Sequence, residues 1–267
     1  MSSAPAHPDR RAAVVTGASS GIGAATASAL AAIGHPVVLG ARRVERCEAI
    51  AAAIREAGGE AVAVPLDLHS ADSVSEFALR AVAELGPIEI VISNAGNVLP
   101  VTTVDADPEA FTREVEVNLL GPQRVVRHLV PAMVERQRGD VVFVTSDAAL
   151  SPRPCMSPYV ASKSGLEGMA RAMRMELEGT GVRVGIVRPG PSLTEQGSTW
   201  DPADIDTVLS LWTRWGFMRH HGYLDASDVA AAIVAMVSVR RGAQLAVIEV
   251  QPEAPVRPAP THDGGPS

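Results

Sequence analysis

TGASSGIG, residues 16–23, stands between an apolar run, AAVV, and an alanine-rich segment with helical spacing. Gly17, Gly21 and Gly23 allow a sharp backbone turn, close approach to a ligand and tight packing of a helix on a strand. A strand-to-helix turn also presents the free N–H groups and partial positive charge of a helix N-terminus, where side chains would only block a phosphate. Ser19 and Ser20 add hydroxyls for phosphate oxygens. No Lys-Ser or Lys-Thr follows, which excludes a P-loop, and the G-x-x-x-G-x-G spacing differs from the commoner G-x-G-x-x-G dinucleotide fingerprint. Alone, the stretch is equally an ordinary glycine-rich turn, so its surroundings decide.

Outward from the turn, short β-branched runs alternate with longer helix-period segments. The runs are 12–16, 36–40, 61–65, 88–93, 140–145, 182–187 and 244–250; the helical stretches are 21–33, 44–57, 71–85, 108–136, 157–178 and 226–238. Runs apolar on both faces and joined by helix-length crossovers predict an α/β fold, a Rossmann-like doubly wound parallel sheet of about seven strands with helices on both faces. In such a fold the first strand-to-helix turn is where a dinucleotide pyrophosphate binds. We find no repeat and no linker, so residues 1–251 read as one domain, and the Pro/Gly-rich stretch 252–267 as a mobile tail.

The composition narrows the partners. With 46% apolar and 20% charged residues the chain is globular. A net charge of -7 without a long basic run argues against nucleic acid or an anionic membrane and for small molecules. MSSAPAHPDRR has no apolar core of a signal peptide, and no run is long enough to span a bilayer. Cys47 and Cys155, far apart and without metal spacing, suit a reduced cytoplasm and give no disulfide framework.

Further residues stand in a particular order: Thr16-Gly17-x-x-x-Gly21-x-Gly23, then Asn94-Ala95-Gly96, Asn118, Ser146, Tyr159-x-x-x-Lys163, and Pro189-Gly190 with Thr194. Over roughly residues 11–250 the chain thereby resembles the short-chain dehydrogenase/reductase family. The resemblance implies an oxidoreductase that binds a nicotinamide dinucleotide. It places Ile22 with the glycines, Asn94, Ala95, Gly96, Pro189, Gly190 and Thr194 at the cofactor, gives Lys163 a hold on the nicotinamide ribose, and has Asn118 hold a water in a proton relay behind the lysine. It also implies a dimer or tetramer.

The residues argue for the chemistry themselves. Positions i and i+4 share a helix face, so Tyr159 and Lys163 point into one site. A phenol has a pKa of about 10, and a neighbouring ammonium is expected to lower it, so that Tyr159 gives a proton to a carbonyl oxygen or takes one from an alcohol. Ser146 ends the fifth strand, at the ligand-binding edge, where its hydroxyl can stabilise charge on the substrate oxygen. Each also has a plainer reading: a helix pair for Tyr159 and Lys163, a strand-end hydroxyl for Ser146, a buried polar group bonded to backbone for Asn118. Their joint order favours catalysis.

Cofactor choice is expected at the end of the second strand, where a carboxylate would bind a ribose 2'-OH and an arginine a 2'-phosphate. The sequence reads VVLGARRVER, with no acid at the strand end, so Arg42 and Arg43 favour NADP(H) over NAD(H). Arg42 is the stronger candidate, since Arg43 also reads as a solvated helix start. Asp67 matches the family position near the adenine and also reads as a helix N-terminal carboxylate with Leu68 packed beneath it.

Two departures from the family pattern stand out. Ser93 replaces the first asparagine of Asn-Asn-Ala-Gly, with an effect expected on stability more than chemistry. IEVQPEAP replaces the glycine-containing ending that often builds the tetramer interface, which leaves the assembly open. Residues 192–223, a substrate lid by resemblance, hold all three tryptophans with Phe217, Met218 and Tyr223. An apolar lid suits a hydrophobic carbonyl or secondary alcohol, while the same rings can simply pack the lid down. Cys155 and Met156, one helical turn before Tyr159, are candidates to line the same pocket. His220, His221 and Asp225 lack a well-spaced further ligand, so no metal site is expected. A sensor that has lost catalysis, or nucleotide-sugar epimerase or dehydratase chemistry, fits the motifs less well than NADPH-linked reduction and its reverse.

Overall fold

The computed structural model describes residues 10–195, 200–217, 220 and 222–256. The leader reading at the N-terminus, the tail beyond 256, Met218 and His221 fall wholly or mostly outside them. Among the described residues no helix is long and apolar enough to cross a membrane.

Seven parallel strands form one sheet in the order β3-β2-β1-β4-β5-β6-β7. They are β1 (Ala12–Thr16), β2 (Val37–Ala41), β3 (Ala61–Pro65), β4 (Ile88–Ser93), β5 (Gly139–Val144), β6 (Val182–Pro189) and β7 (Val247–Val250). The helices are α1 (Gly21–Ala32), α2 (Val44–Glu56), α3 (Ala71–Leu85), α4 (Pro108–Val115), α5 (Gly121–Glu135), α6 (Ser157–Glu176), α7 (Pro202–Arg214) and α8 (Ala226–Ser238). A π-helical turn, Glu116–Leu120, joins α4 to α5.

Strand alternation explains the double burial. Val14, Val38 and Val64 face one layer, with Phe77 of α3, Val125 and Leu129 of α5, and Leu166 of α6. Ala13, Val15, Val37 and Leu39 face the other, with Leu30 of α1, Ala51 of α2 and Ile233 of α8. β1 lies between β2 and β4, so the direction of winding reverses there and a crevice opens at the carboxyl ends of the strands. The glycine turn leaves β1 into that crevice.

Three expectations need correction. The segment 108–136 is not one helix: a π turn at Glu116–Leu120 interrupts it, and the extra residue escapes a 3.6-residue periodicity. The last strand begins at Val247, because the Gln244 side chain donates to the Val184 carbonyl at 2.7 Å. Asp67 does not cap α3; Ser70 does, accepting from the Ser73 amide at 3.1 Å.

Candidate active site

The turn after β1 is bare because it must be. A Cβ on Gly17, where φ is +68°, would lie 2.7 Å from Ala95 Cα, and one on Gly23 would overlap the Gly17 carbonyl and sit 2.7 Å from Asn94 Nδ2. Asn94 explains the crowding, since its amide nitrogen donates to the Thr16 carbonyl at 2.9 Å, while Thr16 Oγ1 accepts from both the Asn94 and Ala95 amides at 3.1 Å. The two motifs clamp one another. Ser20 precedes α1 without capping it through its side chain, so the usual side-chain cap does not cover the first amides of that helix. Thr194 lies against Gly21 at the same end. An anion suits this cradle.

The sequence makes Arg42 the stronger candidate for a ribose 2'-phosphate at the end of β2, while it is Arg43 whose side chain reaches the serines of the turn. Arg43 donates to Ser19 Oγ at 3.1 Å and to Ser20 Oγ at 3.0 Å, whereas Arg42 lines a neighbouring cavity of about 250 Å3 with His69, Asn97 and Glu114. Missed in the sequence were Arg46 and Glu195: the Glu195 carboxylate pairs with Arg43 at 2.8 Å and Arg46 at 2.7 Å, tying the segment after Thr194 to α2. Asp67 accepts from the His69 amide at 3.1 Å, and Leu68 is buried against Gly121. Ile22 packs on the core beneath α1. Pro189 ends β6, and the Gly190 amide donates to the Val250 carbonyl at 2.8 Å.

Across the crevice the four expected polar groups come together. Tyr159 and Lys163 share a face of α6, and both are buried. Ser146 Oγ donates to Asp147 Oδ1 at 3.3 Å beside the phenol, and Lys163 Nζ donates to the Val144 carbonyl at 2.9 Å. Asn118 Oδ1 accepts from the Asn97 amide at 2.8 Å, and its Nδ2 donates to the Asn97 carbonyl at 2.8 Å and Ser162 Oγ at 3.0 Å. A Cβ on Gly96 would stand 3.3 Å from both Asn118 Oδ1 and Lys163 Nζ, so a glycine here leaves the lysine approachable. The π turn presents Asn118 to the loop after β4, which a continuous helix would rotate away.

Electrostatics correct the expectation for Tyr159. Burial pushes the phenol up to about 12; the Ser146 hydroxyl opposes this, Asp147 and Glu114 add to it, and Arg153 opposes it. Burial takes Lys163 down to about 8, with Glu114 holding it up. The ammonium is turned to the Val144 carbonyl, and burial is the main influence on the phenol.

The segment expected as a substrate lid contains a helix, α7, introduced by Asp201 as N-cap and Pro202 in the first turn. Trp200 and Trp212 pack on a small cluster of Val98, Ala148, Met156 and Tyr159. Trp200 Nε1 donates to the Val98 carbonyl at 3.2 Å, and Trp212 Nε1 to the Pro154 carbonyl at 3.0 Å. Trp215 and Tyr223 are exposed, so the aromatic concentration divides into two rings at the site and others at the surface. Arg153 stacks 5.4 Å from the Trp212 ring and forms a two-pronged pair with Asp147, whose neighbour is Ser146. Cys155 and Met156 precede α6, which begins at Ser157, so neither is a helical turn before Tyr159; Met156 still packs in the cluster. No group of acids, histidines or cysteines among the described residues could hold a metal ion, and His220 Nδ1 accepts from the Gly222 amide.

Comparison with known proteins is specific. Residues 11–204 match the family model "short chain dehydrogenase". Cis-4-hydroxycyclohexanecarboxylate dehydrogenase of Sinomonas cyclohexanicum is 36% identical over 89% of this chain and 97% of its own. Glycine betaine reductase of Emericella nidulans is 35% identical over 83% of this chain, which spans only 17% of that much longer protein. An alcohol dehydrogenase from Thermococcus sibiricus, solved with 5-hydroxy-NADP, superposes with a TM-score of 0.80 at 29% identity, covering 94% of this chain and all of the other.

Proposed function

The chain belongs to the short-chain dehydrogenase/reductase family, and from that premise we propose that it is an NADP(H)-linked oxidoreductase acting on a hydrophobic carbonyl or secondary alcohol. The observation that carries the reading is the buried set of Ser146, Tyr159, Lys163 and Asn118 facing a glycine turn whose helix amides await an anion. When bound, the nicotinamide supplies or accepts the hydride. Ser146 orients the substrate oxygen, Tyr159 gives or takes the proton, and Lys163 holds ribose and phenol in register. Trp200, Trp212 and Met156 around Tyr159 support an apolar substrate, held by ring surface more than by polar contacts.

Within this reading Arg43, seconded by Arg42, selects the 2'-phosphate. Arg43→Ala is expected to weaken NADPH by about 10- to 100-fold, the loss of one charge-assisted contact. NADH binding should stay within about twofold, as judged by nicotinamide fluorescence titration. Equal losses for both cofactors would remove the assignment.

Glu195 now occupies the guanidinium of Arg43 and must yield it to a phosphate. Glu195→Gln is therefore expected to tighten NADPH by about two- to fivefold, the scale of an exposed pair, with NADH little changed. Weaker NADPH binding in this variant would show that the carboxylate organises the site and does not compete for it.

The reading as a whole is tested by titrating the purified protein with NADPH and NADH, then screening apolar cyclic and long-chain ketones with whichever binds. Binding of neither cofactor would reduce the glycine turn to structure.

A further inference from the structure

Four residues before Asn118, α4 carries an acid in an unusual setting. Glu114 is 1% exposed. One carboxyl oxygen accepts from the Leu99 amide at 3.0 Å; the other is buried with no hydrogen-bond partner among the described residues. A buried polar atom left unpaired is costly and rare enough to require a reason. Packing gives none, because an aliphatic side chain would fill the same place without the penalty.

The surroundings supply one. α4 packs on α6, and Glu114 lies where its charge acts on Lys163 and on Tyr159. The other charged or titratable groups around the cavity it lines are Arg42, His69 and Arg113, and Glu116 of the π turn pairs with His69. Burial pushes the carboxyl up to about 8, against the pull of the Leu99 amide and Lys163, and burial brings Lys163 down to about 8. The two groups therefore titrate over the same range, as a pair.

We propose that Glu114 is a positioning residue of this site: set behind Asn118 with one oxygen unpaired, its carboxyl governs the charge on Lys163 and, through it, the readiness of Tyr159 to exchange a proton. The inference rests on the oxidoreductase reading. The sign is definite. As the carboxylate forms near pH 8 it supports the ammonium, so loss of the Lys163 proton comes at higher pH than it would without Glu114.

With NADPH and cyclohexanone as probes, Glu114→Gln keeps the shape and an acceptor for the Leu99 amide but cannot ionise. The alkaline limb of kcat is expected to move to lower pH by about one unit, with KM for NADPH within twofold. Glu114→Asp should restore part of the limb. A residue that only packs would lower the rate by one factor at every pH, and that result overturns the proposal. A second measurement needs no substrate. The infrared band of a protonated carboxyl should persist above neutral pH in the wild-type protein and vanish in Glu114→Gln. Its midpoint should rise in Lys163→Met, which removes the cation that favours ionisation. Absence of the band at neutral pH, or a midpoint indifferent to Lys163, would overturn the coupling. Failure of the wild-type protein to bind NADPH would instead count against the oxidoreductase reading, and the infrared titration would still decide between Glu114 and Lys163 as coupled or independent.

Discussion

Tyr159→Phe should lose about 10²- to 10⁴-fold in turnover, the usual worth of a positioned general acid, while NADPH binding stays within about twofold. The ring is held by Val98, Ala148 and Met156, contacts that phenylalanine keeps, so the substitution removes one hydroxyl. Stopped-flow reduction of an apolar ketone, beside a fluorescence titration of NADPH, separates the two effects. Turnover within tenfold of the wild-type value would take Tyr159 out of the proton-transfer step.

The pKa shifts add a direction to that prediction. A phenol raised to about 12 is fully protonated at neutral pH, so Tyr159 is ready to give a proton in reduction and poorly prepared to accept one. Reduction should hold a plateau at neutral pH and fall as Lys163 loses its proton, above about pH 8. Oxidation of the corresponding alcohol needs the phenolate together with the Lys163 ammonium, so it should climb with pH up to about 8 and level off above it, where reduction falls. Parallel profiles for the two directions would show that some other group titrates.

What the sequence made legible follows from the range over which each signal acts. The strands at 12–16, 61–65 and 88–93 and the helices at 71–85 and 226–238 agree with the structure to the residue, because continuous β-branched runs and 3.6-residue periods are local and redundant. The π turn is neither. It changes the partner of a few amides without changing the apolar spacing, yet it sets the direction of Asn118. Helix α7 carries a local signal, since Asp201 and Pro202 open it as cap and first-turn residue, but its apolar spacing is too weak to mark a helix there. Arg43 and Arg42 could be seen as a basic pair at a strand end; which of them reaches Ser19 depends on side-chain direction, and no spacing rule supplies that. Glu114 was visible four residues before Asn118, on the same helical face, as an acid where a buried face expects an apolar residue. Its importance is visible only when Leu99 and Lys163 are brought around it.

A second large effect is expected far from the crevice, at the opposite edge of the sheet. Asp140 is the second residue of β5 and is 3% exposed. It pairs with Arg11, which is buried beside it, and with Arg183 through contacts of 2.5 and 2.9 Å. Arg11 also donates to the Val237 carbonyl at 2.5 Å, and Arg183 to the Val239 and Ala243 carbonyls at 2.9 Å, so this one carboxylate organises the start of β1, the start of β6 and the end of α8. Asp140→Asn keeps the shape but leaves two guanidinium groups without their counter-charge, and breaking a buried pair from one side costs about 3–5 kcal/mol. Against a total stability of about 5–15 kcal/mol, that is a large fraction. Urea unfolding should show the midpoint falling with little change in slope. The folded fraction should bind NADPH with its original affinity and turn over at its original rate, because the altered charge lies at the amino ends of the strands and the chemistry at their carboxyl ends. Tyr159→Phe is expected to do the reverse, sparing the midpoint and abolishing turnover. A shift in midpoint worth less than about 1 kcal/mol would mean that solvent or a neighbouring acid satisfies both arginines, and that the pair is an exposed bridge of ordinary worth.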